Sequence, residues 1–225
     1  ITRMAYRGYD EVDTMLDKAE SMIFKIAEGK QKKDVVSLNE LAGMKISSLD
    51  EMSKYKGGIR GISSGFAKYD ELTSGFHGSD LIILAARPAM GKSAFALNIA
   101  KAVANQGKGV LFISLEMGVL QIADRMLAEV SQMPLSTVKQ IHLHVSDNNG
   151  KIFRNAINSF AKIPFFLAEG AGNFEEVVSM IRQMTRKHKV KVVVIDYLQL
   201  MKSGQSKWMN RNQEVGLFSR TLKLL

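Results

Sequence analysis

The chain has 225 residues, 46% hydrophobic and 24% charged, with 18 Gly and 3 Pro; at roughly 150 residues per domain this is one domain plus an appendage, and it excludes collagen-like, mucin-like and wholly disordered classes. The absence of cysteine excludes disulfides, thiolate metal sites and cysteine nucleophiles, and apolar runs such as 81–86 and 192–195 are too short to cross a bilayer. The net charge of +9 is uneven: residues 186–225 hold nine Lys and Arg against two acids, a net of +7 that leaves +2 for the rest. A localised positive field draws polyanions, nucleic acid first among them, although a solvated basic face has the same composition.

No signal-peptide pattern is present and no membrane partner is expected, so the chain reads as soluble and intracellular; its first residue, Ile1 rather than Met, reads as a cut. Residues 10–28 predict one amphipathic helix, capped by Asp10, ended by Gly29 and striped by Val12, Met15, Leu16, Ala19, Met22, Ile23 and Ile26. A polar linker, 29–34, follows, and the stripe needs burial in its own domain or on a neighbouring subunit. A weaker helical stretch over 37–56 leads into a glycine-punctuated segment, 57–78.

Residues 80–85 are short, apolar and turn-bounded and predict a buried strand. Helix is expected over 93–105, strand over 110–115, helix on to about 132, helix over 152–161, extended chain over 165–168, helix over 174–188 and a β-branched strand over 190–197. A last helical stretch begins near Gln213. Strands alternating with helices at these lengths give an α/β core with a parallel sheet flanked by helices.

Ala86-Arg87-Pro88-Ala89-Met90-Gly91-Lys92-Ser93 lies between the expected strand and helix and matches the phosphate-loop pattern, with Ala86 where the strict form has glycine. Backbone N–H groups of 89–93 would curl around a polyphosphate at the positive end of the helix, with Lys92 supplying a point charge and Ser93 a hard oxygen for Mg²⁺. Asp196, at the end of the 192–196 run, suits the second metal position. Glu116 follows the 110–115 strand, where a water-activating base or a helix-capping glutamate would sit alike; Gln199, three residues past Asp196, suits a γ-phosphate sensor or a solvated loop. His142 and His144 share one face of an extended segment, a spacing that suits a metal, but no third ligand is near in sequence and two surface histidines in a loop fit equally. The thirteen methionines fall mostly on helical stripes and read as core.

Four ordered blocks, 65–76 (GFAKYDELTSGF), 81–98 (LIILAARPAMGKSAFALN), 114–117 (SLEM) and 194–200 (VIDYLQL), together resemble the DnaB-type replicative DNA helicases, and the resemblance runs from the helix at Asp10 to the chain end. It implies a RecA-like P-loop ATPase domain over 34–225, preceded by a linker helix and linker over 1–33 that dock on the adjacent subunit. It also implies six copies in a ring with ATP between them. Residues 87–94 (Arg87, Pro88, Ala89, Met90, Gly91, Lys92, Ser93, Ala94), Arg125 and Gln199 would bind nucleotide, with Lys92 and Glu116 catalytic and Ser93 and Asp196 holding Mg²⁺. Lys202, Lys207 and Arg211 would meet phosphates of a threaded single strand, with Trp208 either stacking on a base or packing.

The function implied is ATP-driven translocation on single-stranded DNA and duplex unwinding in replication, in a bacterial cytoplasm or a phage-infected cell, with primase and a helicase loader as further partners. A RecA-like recombinase and an ATP-gated adaptor with little turnover are the alternatives. The family's N-terminal domain, a principal DNA-contacting loop and the arginine finger have no counterpart in these 225 residues; the segment is expected to be truncated at its C-terminal end and weak in unwinding.

Overall fold

The computed structural model describes residues 37–53, 59–144, 148–170, 172–203 and 210–225. The chain divides into two compact units after Gly58. The predicted helix over 10–28 and the linker after it lie outside the described residues. In the first unit, helix α1 (Leu38–Ser53) starts in a capping box. Glu40 accepts from the Ser37 backbone N–H at 2.9 Å while its own N–H reaches Ser37 Oγ at 3.2 Å.

The second unit runs, in chain order, α2 (Ala67–Thr73), α3 (Lys92–Asn105), β1 (Gly109–Ser114), α4 (Val119–Ser131), α5 (Leu135–Lys139), a 3₁₀ turn (Ile141–His144), α6 (Asn148–Phe160), β2 (Phe165–Glu169), α7 (Phe174–His188), β3 (Val190–Asp196), a second 3₁₀ turn (Leu198–Leu200) and α8 (Arg211–Lys223). The described strands form one parallel sheet in the order β2-β1-β3. Ser114 at the end of β1 lies in register with Glu169 on one side and Asp196 on the other, so three carboxyl-terminal strand ends share one edge.

β1 is central, and every residue of it is buried. Alternation sends Val110 and Phe112 to one face, packed with Leu97, Ala100 and Val103 of α3 and Ile122 and Met126 of α4. Leu111 and Ile113 go to the other face, against Val177 and Ile181 of α7, Met201, and Phe218 of α8. A strand covered on both faces has no polar side to show, which is why 110–113 reads as an unbroken apolar run. Gly109 opens the strand because a Cβ there would stand 3.1 Å from Val190 Cα and 3.2 Å from two carbonyl oxygens.

Two expectations are corrected, and one segment left without an element gains one. Residues 80–85 form no strand: all are exposed and none pairs with a described strand, with Ile83 67% accessible. Hydrophobicity creates a demand for burial, but a strand needs a neighbour to share its ladder. Secondly, the glycine-punctuated segment contains a helix, α2, closed by left-handed Ser74 and Gly75 and locked by the Ile62–Phe76 bridge. Asp70 on this helix is 4% exposed and accepts from Ser63 Oγ (2.6 Å) and the Ser64 backbone N–H (2.9 Å). Finally, 141–144 is a 3₁₀ turn. At three residues per turn, positions 142 and 144 point about 120° apart, not to one face. The methionines divide: Met126 and Met201 are fully buried, whereas Met90 in the phosphate loop is 74% exposed.

Candidate nucleotide site

The phosphate loop is shaped by two left-handed residues, Ala89 (φ 64°) and Gly91 (φ 83°), on either side of Met90. Such alternation turns consecutive backbone N–H groups toward one side, the geometry that grips anions. A turn bond from Met90 N–H to Arg87 O (3.3 Å) closes the loop, and Phe95 N–H to Gly91 O (2.9 Å) starts α3. First-turn N–H groups of a helix have no intrahelical acceptor, so those of Lys92 and Ser93 face whatever the loop holds. The whole loop is open to solvent: Arg87, Pro88, Ala89, Met90 and Gly91 are all exposed, as is Ala94 on the first turn of α3.

Asp196, 4% exposed, closes β3. Its Oδ1 stands 3.7 Å from Lys92 Nζ, and the same ammonium lies 4.0 Å from the centroid of the Tyr197 ring. Lys92 is thus flanked by a carboxylate and an aromatic face, both of which attract a cation. In the sequence the one signal for Tyr197 is its adjacency to Asp196 within the 194–200 block. Ser93, Arg125 of α4 and Asp196 line one small cleft, together with Met117. A hydroxyl and a carboxylate sharing a cleft form the hard-oxygen set that suits Mg²⁺, an ion that takes most of its ligands from water and phosphate. Among the described residues no three His, Cys, Asp or Glu gather into a cage, so any metal here would depend on such ligands.

Glu116 is exposed in the turn between β1 and α4, two residues past Ser114 and therefore at the same sheet edge as Asp196. The turn is fixed at its base: Met117 N–H donates to Ser114 Oγ (3.0 Å), and Leu115 N–H to Asp196 O (2.8 Å). Gln199 sits in the 3₁₀ turn after Asp196, exposed.

The basic residues of the last segment do not behave alike. Lys202 has an exposed side chain, while its backbone bridges to 172–174. Arg211 is also exposed, but its guanidinium donates to Glu214 and the Gln199 carbonyl. Lys207 and Trp208 lie outside the described residues.

A family model for the DnaB-like helicase C terminal domain matches residues 61–225. The replicative DNA helicase DnaB of Leifsonia xyli subsp. xyli (strain CTCB07) is 36% identical over 229 aligned residues, which cover 100% of this chain and 49% of the relative. The replicative DNA helicase DnaC of Bacillus subtilis (strain 168) is 35% identical, with 99% and 50% covered. Among solved structures, one described as an ATPase domain superposes with a TM-score of 0.74 at 28% identity, covering 85% of this chain and 67% of that one. A DnaB-like replicative helicase, described with its interactions with primase, gives 0.72 at 26% identity, covering 93% and 49%. The chain spans about half the length of the curated relatives it matches. Its α/β fold is RecA-like.

Proposed function

The chain belongs to the family of DnaB-like helicase C-terminal domains, and from that premise we propose that it is the ATP-hydrolysing part of a replicative helicase motor that moves along single-stranded DNA and separates the duplex. One observation supports this above the others: Lys92, Ser93 and Asp196 converge at the carboxyl edge of a parallel sheet, with Glu116 two residues past that edge. Open α/β sheets bind ligands at that edge.

In this reading the N–H groups of 89–93 and the Lys92 ammonium hold the polyphosphate. Ser93 and Asp196 hold Mg²⁺, which when bound neutralises phosphate charge. Glu116 accepts a proton from the attacking water, Gln199 senses the γ-phosphate, and Arg125 lies against the nucleotide. Lys202 and Lys207 neutralise phosphates of the DNA strand. Subunits form a six-membered ring with the 10–28 helix docked on the neighbour, primase and a loader are the partners, and the cytoplasm is the compartment. Among the described residues no helix is long and apolar enough to cross a membrane.

The test is ATP turnover by the full-length protein with and without single-stranded DNA. Strong stimulation is the expected result. Tight ATP and DNA binding with negligible turnover in both conditions would replace the motor by an ATP-gated adaptor.

A further inference from the structure

The segment 199–203 leaves the nucleotide edge and is fastened on two sides. On one side Lys202 N–H donates to Gly172 O (2.6 Å) and Lys202 O accepts from Phe174 N–H (3.0 Å). Ser203 Oγ adds a bond to Glu175 Oε1 at 2.6 Å, so the start of α7 is tied to this segment through backbone and side chain. On the other side stands the first turn of α8. Glu214, 6% exposed, accepts the Ser203 backbone N–H on Oε1 at 2.9 Å and receives the Arg211 guanidinium on Oε2. The second arm of that guanidinium donates to the Gln199 carbonyl.

This is a costly arrangement for a surface helix, because a buried carboxylate must keep its partners or lose much of the folded state's stability. It is also a rigid one. The Asn210–Gln213 capping box fixes where α8 begins, and Phe218, fully buried and stacked on Phe174 at 4.3 Å, fixes where the helix lies. Met201, also fully buried, pins the middle of the segment. Gln199 therefore cannot shift without moving the α8 start or breaking the guanidinium fork.

We infer that Arg211 and Glu214 are positioning residues, a strut that carries displacement of Gln199 into the first turn of α8 and into the Ser203 end of the segment that bears Lys202. The inference rests on the reading that Gln199 faces the nucleotide. It reassigns Arg211, which the resemblance places on DNA phosphate: two of its five N–H donors engage Glu214 and the Gln199 carbonyl. A planar fork is needed for this task, since a lysine ammonium cannot span Glu214 and the Gln199 carbonyl in the same way.

Hydrogen exchange of the full-length protein, read over peptides covering 198–203 and the first turn of α8, with and without a non-hydrolysable ATP analogue and Mg²⁺, tests it. In the wild type the analogue slows exchange in both regions. Glu214→Gln, which keeps an acceptor for Ser203 but loses the ion pair, still binds the analogue, while the response of α8 disappears and DNA stimulation of turnover falls about fivefold or more. Arg211→Lys loses the α8 response but binds single-stranded DNA as the wild type does. An undiminished α8 response in both variants overturns the strut, and so does a loss of DNA affinity in Arg211→Ala that Arg211→Lys restores, which would return Arg211 to a phosphate. If the wild type binds the analogue without any change over 198–203, the strut falls alone; if it binds no nucleotide, the functional reading falls and takes the strut with it.

Discussion

Replacing Gly91 by alanine separates backbone conformation from packing at the phosphate loop. Gly91 has φ +83°, where an L-residue carries a Cβ penalty of about 1–2 kcal/mol. No atom lies within 4 Å of the Cβ that alanine would add, so sterics with the rest of the protein contribute nothing. The loop around it is exposed, and the strain is relieved locally by letting the loop leave its anion-binding shape. The loss therefore falls on ligand binding: about 1–2 kcal/mol corresponds to a roughly 5- to 30-fold rise in the dissociation constant for Mg·ATP. Titration with a fluorescent ATP analogue measures it, and a thermal melt run alongside is expected to show little change. Gly91→Asn, which tolerates the left-handed region, should recover part of the affinity. Alanine binding ATP within about twofold of the wild type would refute the argument, as would a melt lowered by about 5 °C or more, the signature of a packing defect.

Glu116→Gln should bind ATP normally and lose turnover by about 100-fold or more, because a neutral amide cannot take the proton from water; unchanged turnover removes Glu116 from the chemistry. Phe218→Ala empties a fully buried site beside Phe174 and should cost about 3–5 kcal/mol in chemical denaturation, whereas a cost under about 1 kcal/mol would mean that α8 is not part of this core. At Asp70, burial raises the carboxyl pKa, but the hydrogen bonds from Ser63 and Ser64 outweigh it and hold the group below its ordinary value. A depressed folded-state pKa contributes stability that is complete above the unfolded value of about 4 and is lost as the pH falls through the folded one. Asp70→Asn should therefore destabilise the protein near neutrality by about 1–2 kcal/mol, with the gap to wild type closing below about pH 4; a gap independent of pH would show that the charge is irrelevant.

Features that depend on residues close together in the chain were legible without coordinates. The 174–188 helix has the bounds of α7, because two acids in its first turn, three bases in its last and a clear apolar stripe are all local. The 110–115 strand was legible because burial on both faces leaves a single apolar run. The phosphate-loop pattern was legible because it is a run of eight adjacent residues, 86–93, and Asp196 stood out because it ends a β-branched run. The length of α6 was not: it begins at Asn148, ahead of the apolar pattern that starts near 152, since a polar first turn gives no periodic signal.

Tertiary structure decided the rest, because each of those features joins residues whose contact no local pattern encodes. Residues 81–86 have the composition of a strand, yet composition does not supply a neighbouring ladder, and among the described strands none pairs with them. Tyr197 became part of the site only when the end of β3 and the start of α3 met at Lys92. Arg211 counts as one positive charge in the sequence, but folding sets it beside Glu214 and a carbonyl twelve residues back, partners that a charge count does not reveal. Charge, periodicity and motif are properties of the chain, whereas which groups are left to meet a ligand depends on the partners that folding brings to them.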